Sequence, residues 1–273
     1  MHWPNLPRLN KDRTGGRLSE RHIIVHYHIF KNAGSTVDTF LNYNFVGHCG
    51  SVEGQNPWDT LWPEDILTYA RSNKHLRAIS SHQARLPVPS DSGISFHPIL
   101  FVRHPIDRVA SVYHFERREP YNQHHLSIRM AHENDLAGYI RWGLSGGNHT
   151  VLRNFQTIHL AARERDMRTA IATDEDLQNA LRHLSTLPVF GVVEEFDHSI
   201  EKIVRYLSPH FGALLPKYQV VNRSTARRGN LQDRLEDIER QLGPDLYCEL
   251  IEKNSLDLKL YEHALKIATP KSD

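Results

Sequence analysis

The sequence predicts an α/β fold: a single domain on an open, mostly parallel sheet flanked by helices. Three observations point that way. Short β-branched or aromatic stretches alternate with segments of helical period along most of the 273 residues. One stretch, Pro98–Val102, is apolar with no polar alternation, the pattern of a strand buried on both faces in a parallel sheet. Two strands run directly into Gly- or Pro-bearing turns that open helices, which is how a βα unit reads in sequence.

Residues 1–20 are polar and basic with Pro and Gly, and read as a flexible N-terminal arm. Arg21–Ile29 reads as the first strand, ending at Phe30-Lys31-Asn32-Ala33-Gly34. Ser35 or Thr36 then opens a helix marked by Val37, Phe40 and Leu41. Residues 47–63, rich in Gly, Pro, Asn and Trp, read as loop. Pro63-Glu64-Asp65 starts a helix, with Pro in the first turn and acids at its positive end. Leu76–Ser80 and Pro98–Val102 are the next strands, and Pro105 opens a helix carried by Ile106, Val109, Ala110, Val112 and Tyr113. Helical periods follow at 133–144, 149–163, 174–187, 197–208 and 231–266, with one strand, Pro188–Val193, among them. No repeat or linker divides the chain, so the domain is placed at 21–268 with a tail at 269–273.

The 33 basic and 32 acidic side chains give a formal net charge of +1, which argues against a nucleic-acid partner. Two cysteines, Cys49 and Cys248, make no disulfide framework and fit a reducing compartment. No signal-peptide core and no apolar run of transmembrane length occurs, so a cytoplasmic protein is expected. His22, His26 and His28 would share one face of the first strand, but no HExxH or Cys/His cluster accompanies them, and no metal is assigned.

Two loops at strand ends carry the chemistry, where ligands bind in open α/β sheets. The first is Lys31-Asn32-Ala33-Gly34-Ser35-Thr36. A short turn between strand and helix aims several amides at one spot, and the helix start adds partial positive charge. Gly34 permits close approach, Ser35 and Thr36 bring hydroxyls, and Lys31 a point charge. The Lys precedes the Gly, so this is not the order of a Walker A loop, and a nucleotide kinase is disfavoured. The second is Arg103-His104-Pro105-Ile106-Asp107-Arg108-Val109-Ala110-Ser111, with Arg103 at the end of a buried strand. Arg103 can clamp a phosphate bidentately while Ser111 completes the grip; the structural alternative is an Arg103–Asp107 pair.

Together these stretches resemble the sulfotransferase superfamily, in the branch of heparan-sulfate 2-O- and chondroitin-type sulfotransferases and their bacterial relatives. The branch reads about His-Ile-Pro-Lys-Thr-Gly-Gly-Thr-Ser at the first motif. This chain departs from it at Phe30, Asn32 and Ala33 and keeps Lys31, Gly34 and the hydroxyls. Weaker similarity continues at Asn154–Thr157, Phe190–Asp197 and Asp257–Glu262. The resemblance implies a P-loop-like phosphosulfate-binding loop and a PAPS-dependent sulfotransferase (PAPS, 3′-phosphoadenosine 5′-phosphosulfate) that releases 3′,5′-ADP. In that reading Lys31, Asn32, Ala33, Gly34, Ser35 and Thr36 hold the 5′-phosphosulfate, and Arg103 and Ser111 the 3′-phosphate. The basic turn Arg227-Arg228-Gly229 covers the cofactor, as late basic loops do in the family.

The acceptor hydroxyl needs a general base within hydrogen-bond reach. His82 follows a predicted strand at the same sheet edge and resembles the catalytic His of the 2-O branch, with Ser81 for its Gly; Glu53 and His48 are the alternatives. His82 and Lys31 are therefore the catalytic candidates. The acceptor is read as a glycan, with a tyrosine peptide or a small metabolite, or a non-catalytic nucleotide- or glycan-binding protein of the same fold, as the alternatives. Tryptophans and the pair Arg117-Arg118 are candidates to line its site.

Overall fold

The computed structural model describes residues 20–147, 149–221 and 229–268. Its elements run β1 (Arg21–Tyr27), α1 (Gly34–Asn44), β2 (Cys49–Ser51), α2 (Pro63–Ser72), β3 (Ala78–Ser81), β4 (Ile94–Ile99) and β5 (Phe101–Val102). Helices α3 (Pro105–Glu116), α4 (Leu126–Glu133), α5 (Leu136–Leu144), α6 (Phe155–Ala161) and α7 (Asp174–Thr186) follow. The last strand, β6 (Gly191–Val192), precedes α8 (Phe196–Phe211), α9 (Leu231–Leu242), α10 (Pro244–Lys253) and α11 (Ser255–Ala268).

Every strand pair is parallel. Four strands run in the order β2-β3-β1-β4, and β5 pairs with β6. The polypeptide from 94 to 102 is thus one extended run that changes partner: Ile99 lies beside His26, and Phe101 beside Gly191. Parallel order puts the loops after β1, β3 and β5 at one edge, and that edge holds the site.

β1 is central because its residues alternate between two cores. Ile23, Val25 and Tyr27 pack with Ile79, Leu177, Leu184 and Leu260 on one face, while Ile24 joins Val37, Phe40, Ile200 and Ile203 on the other. A third core knits α3, α5, α9 and α10 through Val109, Tyr139, Ile140, Ile238 and Leu250. Truncating Ile24 or Phe40, both without solvent exposure, costs about 2–5 kcal/mol.

The parallel α/β architecture agrees with the expectation, and several boundaries move. The supposed loop over 47–63 contains β2, a three-residue edge strand whose central Gly50 gives no apolar signal. The long helical period at 231–266 is three helices. Gly243, at φ 75, and Pro244 end one and start the next, and Asn254 separates the last two. α4 is an added helix ahead of the predicted 133–144. The predicted arm and tail lie outside the described residues, except Glu20. No helix among the described residues is long and apolar enough to cross a membrane.

Candidate active site

The turn between β1 and α1 is built to present amides. Lys31 (φ 65) and Ala33 (φ 61) both take the left-handed conformation, and Ala33 caps α1. Asn32 N–H donates back to Ile29, and Thr36 and Val37 amides to Ala33. The amides of Ala33, Gly34 and Ser35 have no backbone acceptor among the described residues, and a helix start leaves such donors open for an anion. Lys31 Nζ lies 4.3 Å from the Phe115 ring centre and 5.8 Å from that of Phe30, which holds the ammonium group at the mouth of the turn.

Asn32 does something other than line the site. It is buried, and Nδ2 donates to the Phe101 carbonyl (2.7 Å) and to Gln156 Oε1 (2.8 Å), tying the turn to β5 and α6. The sequence placed Asn32 on the cofactor; its side chain instead points into the core, where both donated bonds are made to buried acceptors. Gly34 is explained by a neighbour: a Cβ there would fall 1.9 Å from His28 Cδ2.

Arg103 pairs with Asp107, the structural alternative, and still lines the cleft. Its Nε and Nη2 donate to Asp107 Oδ2 (2.9 and 2.7 Å), and Nη1 donates to the Lys31 carbonyl (2.7 Å), so the two motifs are joined. Asp107 is fully buried and also receives Arg234 Nε at 2.8 Å. Burial lowers the Arg103 guanidinium to about 10, with Glu194 opposing and Arg234 adding to the fall, so it stays charged near neutrality.

On the other side of the β1 turn, His82 and Glu53 form a pair. Glu53 Oε1 accepts both the His82 backbone N–H and His82 Nδ1–H at 2.9 Å, and Ser81 Oγ donates to Oε2 at 3.3 Å. A carboxylate only accepts, so the proton sits on Nδ1 and Nε2 keeps its lone pair. Burial by itself would raise the Glu53 carboxyl, but these bonds outweigh it and hold it below its ordinary value. The His28 ring stacks on His82 with centres 3.8 Å apart, and is anchored by Asp38, which accepts from His28 Nδ1 at 3.2 Å and from His26 Nδ1 at 2.9 Å. Burial pushes His28 down to about 4, against the opposing pull of Asp38.

His48 lies at the opposite sheet edge. It precedes β2, whose Cys49 pairs with Ala78 at the start of β3, and its Nδ1 is bound to the His75 carbonyl at 2.7 Å. Glu53 and His82 are therefore partners rather than rivals, and His48 is removed by strand direction.

Lys31, Ala33, Gly34, Ser35, Thr36, Arg103, Ser111, Gly229 and His82 all line one cleft of about 410 Å³. Arg227 and Arg228 lie outside the described residues. The sequence reading missed Arg234, whose Asp107 contact spans 127 positions, and His114, which one helical turn from Ser111 would have revealed. Arg118 faces this cleft instead of an acceptor site. Arg117 is tied to Tyr113 Oη and to the Ala131 and Asn134 carbonyls. Lys31, Arg103, Arg118 and Arg234 face the cleft, and no carboxylate lines it among the described residues. A second groove of about 710 Å³, bordered by Trp58, Asn56, Gln83, Arg85 and Arg168, shares His82 and Phe30 with it.

A sequence model described as "Sulfotransferase family" matches residues 17–264. The chain belongs to that family. It is also 32% identical over 251 residues to an "Uncharacterized protein" of Archaeoglobus fulgidus, covering 89% of this chain and 95% of that one.

In this sulfotransferase-family domain, the weaker downstream segments mostly brace the cleft, while Val193 and Phe196 of the second one also line it. Gln156 is a hub: Oε1 accepts Asn32 Nδ2 and the Arg103 amide, and Nε2 donates to the Arg103 carbonyl. Asp257 accepts the Gln156 and Thr157 amides at the start of α6 (3.1 and 2.7 Å), and Asn154 Oδ1 accepts the Leu256 and Asp257 amides in return. Glu194 Oε1 accepts the His104 amide at 3.1 Å. Arg108, fully buried, stacks over Phe155 at 5.1 Å and donates to the Val151 carbonyl. Removing one partner of such a network leaves buried polar groups unmet at about 1–3 kcal/mol each.

Proposed function

We propose that the protein is a PAPS-dependent sulfotransferase acting on an acceptor hydroxyl of a glycan, in the branch whose motifs the two loops resemble. One observation carries this reading. A cleft with four cations and no carboxylate among its described lining residues, beside open loop amides, meets a second groove at a histidine with a free Nε2. The residues fit the cofactor: the Lys31–Thr36 turn suits the 5′-phosphosulfate, and Arg103, Ser111 and Arg234 suit the 3′-phosphate. Phe196 and Tyr218, with ring centres 4.8 Å apart, give the same cleft an apolar aromatic end suited to a purine.

When bound, PAPS supplies an activated sulfuryl group. Lys31 and the loop amides stabilise negative charge where it builds on the transferring and leaving oxygens. His82 Nε2 takes the proton of the acceptor hydroxyl, and Glu53 holds the ring in the tautomer that can do so and steadies the imidazolium. The Asp38-anchored His28 ring fixes His82 from its face. The second groove combines half-exposed Trp58, with Arg168 over its ring, and the polar side chains Asn56, Asp59 and Gln83, a mixed apolar and polar wall that suits a sugar.

Calorimetry with 3′,5′-ADP and ATP tests the cofactor: 3′,5′-ADP should bind about tenfold tighter or more, because only it offers a 3′-phosphate. Incubation with PAPS and a panel of glycans, tyrosine peptides and small hydroxylated metabolites tests the reaction, read as mass gain of one sulfate. Equal affinity for ATP overturns the cofactor assignment, and transfer only to peptides or metabolites overturns the glycan.

A further inference from the structure

Far from the cleft, at the N-terminal ends of the strands, three histidines meet from three elements. His22 is the second residue of β1, His97 lies on β4, and His210 in the last turn of α8. The closest approach is His22 Nδ1 to His97 Nε2, at 3.0 Å. The ring centres of His97 and His210 are 4.4 Å apart and those of His22 and His210 5.1 Å. One ring nitrogen from each lies within 4.8 Å of the other two.

We propose that His22, His97 and His210 bind a divalent transition-metal ion of the zinc, copper and nickel class. Imidazole is the ligand these ions favour, and nitrogens bound at about 2.0–2.1 Å around a tetrahedral ion sit roughly 3.3 Å apart. The His22–His97 pair is already near that spacing, and the exposed His210 closes the rest by turning its side chain. His97 is held from behind: its Nδ1 lies 3.1 Å from Tyr206 Oη, which accepts the Nδ1 proton and leaves Nε2 facing the cluster, as outer partners of metal-binding histidines do. His22 turns Nδ1 onto the ion by moving its proton to Nε2. No hydrogen bond is made by His210 among the described residues, so binding costs it only a shift in its ring contacts with His22, His97 and Tyr206. The Glu20 carboxylate, bound by Ser95 Oγ beside the start of β1, adds negative charge nearby.

The other cluster, His26, His28 and Asp38, is different in kind. Both Asp38 oxygens there already accept imidazole protons, so it is closed on itself. A metal at His22, His97 and His210 instead cross-links the first strand, the strand that changes sheet partner, and the end of α8.

The test uses the full-length protein without a polyhistidine tag, stripped with chelator and dialysed against Zn²⁺ alone, with bound metal measured by elemental analysis. One equivalent should bind tightly, and the melting temperature should rise by roughly 5 °C or more at a hundredfold excess over Kd. His210→Ala, an exposed change that leaves the fold intact, should weaken that equivalent about tenfold or more, and His22→Gln likewise. His28→Asn should leave it unchanged. Absence of a stoichiometric ion in the wild type, or equal affinity in His210→Ala and His22→Gln, overturns the proposal; loss in His28→Asn instead would move the ion to the closed cluster and overturn it equally.

Discussion

Arg103 and His82 flank the loop after β1 from neighbouring strand ends, and their surroundings differ in kind. The Arg103 side chain is 12% exposed and locked by Asp107 and the Lys31 carbonyl, with its backbone held by Gln156; the His82 side chain is 49% exposed and held by one carboxylate and one stacked ring. The first wall carries fixed charge whose cost of burial is met by buried partners, which is what binding an anion without reorganisation needs. In the proposed reaction the second would change protonation during turnover, and a solvent-touching imidazole with a single strong partner can do that. The difference teaches that, under the proposed function, cofactor recognition is spread over the scaffold, whereas proton transfer rests on a few replaceable side chains.

Paired substitutions break this comparison most directly. His82→Ala should lower kcat by about 100- to 10,000-fold while 3′,5′-ADP binding stays near the wild-type value. Lys31→Ala should lower kcat by about 100- to 1000-fold and weaken 3′,5′-ADP as well, with the melting temperature little changed. Steady-state kinetics beside calorimetry separates the two. Near-normal turnover in His82→Ala would sink its role as base, and unaltered nucleotide affinity in Lys31→Ala would remove Lys31 from the phosphate site.

What the sequence made legible follows the same division. The strand-turn-helix around Lys31 and the Arg103–Ser111 stretch were readable because each is local: a buried strand, a turn and a helix start within about ten residues. Asn32 was misplaced because its partners, Phe101 and Gln156, are 69 and 124 positions away. Arg234 was missed for the same reason. Strand parity put His22, His26 and His28 on one face, but parity says nothing of distance along the strand. At about 3.3 Å per residue, four positions carry His22 roughly 13 Å from His26 and into another cluster. β2 escaped because a three-residue edge strand has too few side chains to show a period.

A smaller effect sharpens the second wall alone. Glu53→Gln keeps the shape but offers an amide where the carboxylate accepted Nδ1–H, so the ring loses its preference for the reactive tautomer and its imidazolium loses a counter-charge. Turnover should fall about 10- to 100-fold, less than in His82→Ala, with acceptor KM little changed. A loss as large as that of His82→Ala would make Glu53 the base itself.

The smallest expected effect concerns both walls together. Each holds an imidazole uncharged: buried His28 beside His82, and partly buried His104 beside Arg103, both lowered to about 4, chiefly by burial and for His104 also by the Arg103 and Arg234 charges. In the unfolded chain these side chains titrate near the ordinary 6.5. Between those values the unfolded state binds more protons, so stability is full above pH 6.5 and falls as pH drops toward 4. Asp38 and Glu53 act in the same direction in a separate, lower window. Their carboxyls are held low, so their contribution persists through this range and is lost only as pH falls below the ordinary carboxylate values. Melting temperature followed from pH 7 to 4.5 should therefore decline steadily, and more shallowly in His28→Asn, which keeps a donor for Asp38 without a titrating ring. A flat profile in the wild type would mean that neither imidazole is held neutral. An unchanged slope in His28→Asn would assign the decline to the other lowered imidazoles, His97, His104, His114 and His159.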